Sequence, residues 1–147
     1  MLADFQQAMA DMVASPQLCQ IVRRKPDTLW QRYNLSGIEH RRLVDMVNNP
    51  GMSGNCTLYR ANRFAPILLH LPELSHALGA ELRALLEEYW DHSPHTDVNF
   101  LIECERFCAF VAAKAARGWK MPAAAQQAFE RERNSLQLRL MRNCTVL

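Results

Sequence analysis

The chain has 147 residues, of which 49% are hydrophobic and 22% charged, with a formal net charge of +2. That length lies near the commonest domain size, and that apolar share can fill one core without disulfide or metal staples. The composition excludes a disordered chain and carries no excess of positive charge for nucleic acid, and no apolar run reaches the roughly 18 residues needed to span a bilayer.

Charge is nonetheless uneven along the chain. Residues 51–100 hold three Arg or Lys against six Asp or Glu, whereas residues 101–147 hold eight against four, so the tail is the basic part, either a solvated face or a docking surface for an acidic partner. The five cysteines (Cys19, Cys56, Cys104, Cys108, Cys144) are an odd number with no CxxC pair, and the amino terminus lacks the layout of a secretion signal, which points to reduced thiols in a cytosol. In that setting the triplets Asn55-Cys56-Thr57 and Asn143-Cys144-Thr145 are glycosylation matches without consequence.

In chain order, Leu2, Phe5, Met9, Met12 and Val13 recur at helical spacing until Ser15-Pro16 interrupts them. A short turn is expected over residues 16–22, after which Pro26 opens a segment through Leu29, Trp30 and Tyr33. Ser36-Gly37-Ile38-Glu39 reads as a capping box, starting a helix with Ile38, Leu43, Met46 and Val47 inward. That helix ends in the turn formers Asn48-Asn49-Pro50-Gly51, and residues 48–54, with two glycines and a proline, are expected to form a functional loop or joint.

Residues 55–64 read as helix, Pro66 bends or restarts it, and Leu71-Pro72 opens a short helix ending near Gly79. Residues 81–90 place Leu82, Leu85, Leu86, Tyr89 and Trp90 on one broad stripe that stops at His92-Ser93-Pro94. Thr96 is expected to cap the next helix, with Phe100, Leu101, Cys104, Phe107, Cys108 and Val111 buried and Gly118 as terminator. Pro122 begins a last, polar helix to about Arg142 with Phe129, Leu136 and Leu140 apolar, which either packs thinly or completes its burial on a partner. With no strand or hairpin pattern, the fold expected is all-α: a single irregular multi-helix domain, with amino-terminal helices over 1–50, a helical core over 51–118 and an amphipathic docking helix over 119–147.

Few residues suggest chemistry. His92, His95, Cys104 and Cys108 could supply borderline metal ligands, but the two cysteines share a stripe with Phe107 and Val111, where a free thiol behaves as a small hydrophobe. No spacing selects a thiol and a base for nucleophilic catalysis, and no phosphate loop, nucleophile elbow or metalloprotease motif occurs. No catalytic residue and no metal site is therefore expected in this chain. The remaining constellation runs from Asn55 to Arg63: if helical, Asn55, Tyr59, Asn62 and Arg63 share a face at three- and four-residue intervals. Guanidinium and amide groups on one rigid face suit a carboxylate or a peptide backbone, or else tie the preceding loop to the helix.

Two stretches resemble known families. From Phe5 to Gly51 the order of an apolar helix, Ser15-Pro16, Pro26-Asp27, Tyr33-Asn34-Leu35-Ser36 and Glu39 resembles the helical small subunit of protocatechuate-type extradiol dioxygenases. From Leu58 to Ala112 the string Leu58-Tyr59-Arg60-Ala61-Asn62-Arg63, then Leu71-Pro72, Leu78-Gly79, Tyr89-Trp90, Pro94, Phe107 and Phe110, looks like the partner proteins of multinuclear non-heme iron oxidative enzymes that modify cysteines in ribosomally made peptides, the 3-thiaglutamate-forming system among them. That partner family often includes a winged helix with strands, and this sequence departs from it in showing no strand pattern.

Both resemblances imply a small, non-catalytic helical subunit, with no cofactor of its own, that assists a larger iron-dependent oxidative enzyme; the second implies a heterodimer that helps to hold a precursor or carrier peptide, and the reduced thiols place it in the cytoplasm. Asn55, Tyr59, Arg60, Asn62 and Arg63, with Arg131 and Arg139 on the basic last helix, are the residues expected to bind peptide or partner. The alternative is a ring-opening dioxygenase small subunit whose short helices before Gly51 cap a catechol site. A third reading is a helical nucleic-acid-binding regulator using Arg23, Arg24, Lys25, Arg41 and Arg42.

Overall fold

The computed structural model describes residues 2–144, and among these the chain is all-α: nine helices and no strand. It divides into two compact units, Met1–Ala61 and Asn62–Leu147. No helix among the described residues is long and apolar enough to cross a membrane. The triplet Asn143-Cys144-Thr145 lies partly outside the described residues.

The first unit begins with α1 (Leu2–Ala14), which stops where Ser15 takes an extended conformation. The turn expected next is instead a helix, α2 (Pro16–Arg24). Ser15 is its N-cap, with Oγ accepting from Leu18 N at 3.2 Å, and Pro16 occupies the first turn, where its missing N–H costs nothing. Leu18, Cys19 and Val22 give it a buried stripe. The short α3 (Thr28–Arg32) buries Leu29 but leaves Trp30 exposed, stacked on His40 with ring centroids 4.5 Å apart.

The capping box forms as read: in α4 (Gly37–Asn48) Ser36 Oγ accepts from Glu39 N at 3.3 Å and a Glu39 carboxylate oxygen accepts from Ser36 N at 2.7 Å. Leu43 and Val47 face inward with Met46 half-buried, but Ile38 is exposed, because its position lies on the opposite side of the helix from Leu43 and Val47. Two long-range bonds fix α2 and its exit on α4: Arg23 Nε donates to the Val47 carbonyl at 2.8 Å, and His40 Nε2 meets the Pro26 carbonyl at 3.2 Å.

The loop expected over 48–54 is largely absent, since α5 (Gly51–His70) begins inside it. Asn49 Oδ1 accepts from Gly51 N at 2.8 Å with Pro50 between them, a helix start that outweighs the two glycines, and Met52 and Cys56 anchor the first turns in the core of this unit. Helix α5 also continues through Pro66 rather than restarting there.

The second unit contains the rest of α5, then α6 (Pro72–Leu78), α7 (Glu81–His92), α8 (Phe100–Ala116) and α9 (Ala123–Cys144). Gly79 and Gly118, at φ of 54° and 102°, reverse the chain after α6 and α8 in a backbone region that other residues rarely enter. Ile67, Leu74, Leu86, Phe107 and Val111 form the centre of the core, each such side chain contributing roughly 1.5–3 kcal/mol relative to exposure. Helix α9 packs on α6 and α8 through Ala125, Ala128 and Leu136, the alanines allowing close approach, while Leu138 and Met141 stay exposed. Thr96 does not cap α8: Asn99 does, its Oδ1 accepting from Leu101 N at 3.0 Å, and Phe100 at the first position is half-exposed rather than buried.

Candidate functional site

The most elaborate side-chain arrangement lies in the second unit, where α5 meets the 93–99 connection between α7 and α8. Arg63 and Glu103 are 1% and 0% exposed and face each other across it. Arg63 Nε and Nη2 approach Glu103 Oε1 at 2.8 and 2.7 Å, and Nη1 donates to the Ser93 and Pro94 carbonyls at 2.6 and 3.1 Å. The second Glu103 oxygen accepts from Asp97 N at 3.0 Å and Thr96 Oγ1 at 3.4 Å. Tyr89 completes the set, its hydroxyl donating to Glu103 Oε1 at 3.4 Å and its ring lying 5.2 Å from the Arg63 guanidinium carbon. Burial, and next the Glu103 charge, push the Tyr89 phenol well above its usual range. A planar guanidinium suits this role because its fork reaches a carboxylate oxygen and two carbonyls of the 93–99 connection at once.

The network fixes a loop that exposes Val98 among polar neighbours, next to apolar surface on the first turn of α8. Val98 is 95% exposed, and Phe100 and Ile102 also present large apolar surface. Asp97 is held from both sides, by its N–H on Glu103 and by its carboxylate on Arg106 at 3.1 Å. The result is a rigid support beside exposed apolar surface, an arrangement suited to contact with another surface.

The structure separates the expected recognition residues. Arg63 is withdrawn from the surface and bonded in the interior through Nε and Nη1, so it does not share an outward face with Asn55, Tyr59 and Asn62. Asn55 and Asn62 are exposed on α5, and Tyr59 and Arg60 are half-buried. On α9, Arg131 is exposed and bonded to Glu73 at 2.7 Å, and Arg139 Nη1 lies 3.3 Å from His70 Nδ1. Desolvation, and then the Arg139 charge, lower the His70 pKa, so the imidazole is held toward its neutral form. The sequence reading missed Glu103 and the loop it holds; the available signal was a glutamate inside the otherwise apolar stripe of residues 100–111.

The residues weighed as metal ligands occupy unlike surroundings. Cys104 and Cys108 are buried, Cys104 Sγ donating to the Pro66 carbonyl at 3.3 Å, and burial pushes the Cys104 thiol up to about 12. His92 and His95 are exposed, His92 lying against Phe110 with centroids 5.9 Å apart. In the first unit an open concavity of about 440 Å³ is lined by the run from Trp30 to Leu35. Compared with family models, curated proteins and solved structures, the chain matches none.

Proposed function

We propose that this chain is a non-catalytic accessory subunit that docks on a larger iron-dependent oxidative enzyme and helps to position that enzyme's ribosomally made peptide substrate for cysteine modification. The observation that carries the docking part is the exposed apolar surface of Val98, on a loop held by a buried ion pair, and of Phe100 and Ile102 on the first turn of α8 that follows it. The identity of the partner rests on the sequence resemblance over residues 58–112. Asn55, Tyr59, Arg60 and Asn62 remain the peptide-facing candidates on α5, while Arg63 becomes a support for the docking loop. Arg131 and Arg139 on α9 offer a second, basic contact area. The iron belongs to the partner.

Co-purification tests this reading. A tagged copy of this chain, expressed with an iron-dependent oxidative enzyme encoded beside it, is expected to retain that enzyme and to accelerate its oxidation of a cysteine-ended peptide. Retention of no such enzyme, or equal turnover without this chain, overturns the proposal.

In a second reading, which rests on the resemblance over residues 5–51, the short helices before Gly51 cap a catechol site of a ring-opening dioxygenase; the open concavity beside Trp30 lies among them. Turnover of a dihydroxylated aromatic acid by a reconstituted pair would select it. Nucleic-acid binding through Arg23, Arg24, Lys25, Arg41 and Arg42 is weakened by the engagement of Arg23 with the Val47 carbonyl.

A further inference from the structure

Two thiols of the first unit converge on one oxygen. The Met12 carbonyl is among the last four acceptors of α1, which have no partner within their own helix, and residue 16, the next donor in the ladder, is a proline. Cys19 Sγ on α2 lies 3.1 Å from that oxygen and Cys56 Sγ on α5 lies 3.5 Å from it. Both residues are buried, at 2% and 5% exposure, and no ionised side chain bonds to either sulfur among the contacts that hold them there. By contrast Cys104 and Cys108 sit one turn apart on a single helix, a spacing that leaves their side chains parallel rather than opposed.

We infer that Cys19 and Cys56 are a redox modification site, closing to a reversible intramolecular disulfide when a peroxide is the oxidant. The chemistry balances in two steps. One sulfur attacks a peroxide oxygen, the O–O bond breaks, and the thiol proton leaves with the departing oxygen, giving a sulfenic acid and water when the peroxide is hydrogen peroxide. The second sulfur then attacks the sulfenic sulfur, the S–O bond breaks, and a second water departs with the remaining thiol proton. The thiols lose two electrons and the peroxide gains them.

The surroundings set the character of this pair. Burial, and next the neighbouring Cys56, push the Cys19 thiol up to about 12, so its thiolate is scarce near neutrality and its reaction with peroxide is slow. Closing the S–S bond also removes both S–H donors from the Met12 carbonyl and leaves a buried acceptor unpaired. That cost favours the reduced form and makes the bond easy to reopen, which suits a reversible mark rather than a permanent staple. The bond would join α2 to the amino-terminal turns of α5. This inference is independent of the function proposed above.

The test uses the full, reduced, folded chain treated with hydrogen peroxide, then denatured, blocked with N-ethylmaleimide and cut with trypsin. Mass spectrometry is expected to find the peptide holding Cys19 joined to the peptide holding Cys56, two hydrogens lighter than their sum, with Cys104 and Cys108 carrying maleimide. Dithiothreitol should restore both thiols, and Cys56→Ser should abolish the joined species. Maleimide on both Cys19 and Cys56 after peroxide, joining to Cys104 or Cys108 instead, or a link that forms only in urea would each overturn the inference.

Discussion

Arg63 Nη2 lies 2.7 Å from Glu103 Oε1 in the interior of the second unit, with both side chains sealed from water. Removing two charges from water is costly, and the attraction between them offsets that cost only when the remaining donors and acceptors are also met. Here most are met, by the Ser93 and Pro94 carbonyls on one side and the Asp97 N–H on the other, while Arg63 Nη2 reaches Glu103 as an ion-pair contact without a hydrogen bond of its own. The pair therefore organises the 93–99 connection more than it adds net stability.

Breaking one side of the pair is expected to be severe. Arg63→Ala or Glu103→Ala should cost about 3–5 kcal/mol in urea unfolding, the range for an abandoned buried charge. An Arg63→Met, Glu103→Leu double variant should recover part of that loss but not all, because the loop carbonyls and the Asp97 N–H keep no partner. Full recovery would show that the loop needs no such support.

Val98 makes the opposite prediction. At 95% exposure, Val98→Lys should leave stability within about 0.5 kcal/mol while weakening retention of the partner enzyme in a pull-down. Unchanged retention by Val98→Lys and by Phe100→Ser would move the docking surface elsewhere, to α9 first.

The capping box is a separate, local test. Ser36→Ala should cost about 1 kcal/mol of unfolding free energy. The Glu39 carboxyl is held below its usual range, first by the Ser36 backbone N–H. A folded pKa below the unfolded one contributes stability above the unfolded value and loses it as pH falls, so acid should narrow the gap between wild type and Glu39→Ala, which removes the carboxylate. Equal gaps at pH 7 and pH 3 would count against the box.

Cys104 is one of the buried groups that act on the alkaline side. Its thiol pKa rises from 9.0 to about 12 on folding, through burial first. A raised folded pKa gives stability that is complete below pH 9 and is lost as pH climbs toward 12. Thermal unfolding of wild type between those values should fall more steeply than that of Cys104→Ala, and native Cys104 should resist iodoacetamide at pH 8.

His70 is expected to answer to Arg139. Its depressed pKa comes first from desolvation and then from the arginine charge, so Arg139→Gln should raise it part of the way back toward 6.5 in an NMR titration of the imidazole. No movement would mean that the 3.3 Å contact is lost in solution.

Much of the fold was legible in the sequence because its signals are local. Ser36 and Glu39 specify a helix start between themselves, and Leu82, Leu85, Leu86, Tyr89 and Trp90 mark a buried stripe without reference to the rest of the chain. The reading failed where local signals competed. Glycines at 51 and 54 suggested a loop, but the Asn49 cap and the buried Met52 and Cys56 outweigh them. Ser15-Pro16 was read as an end when it is also a beginning. The candidate site was less legible, since the partner of Arg63 stands far along the chain at Glu103 and no spacing rule joins them.

Helix α6 raises a different point. It opens on Leu71, which has no capping side chain, and on Pro72, and its first free amides at Glu73 and Leu74 donate to the two carboxylate oxygens of Glu132 on α9, at 2.9 and 2.8 Å. Seven residues cannot hold a helix alone in water, so this one borrows its beginning from the far end of the chain. A nascent or truncated polypeptide ending before Glu132 would therefore forfeit two helices rather than one, and segment 72–78 would be open to protease until the last stretch is synthesised and settles.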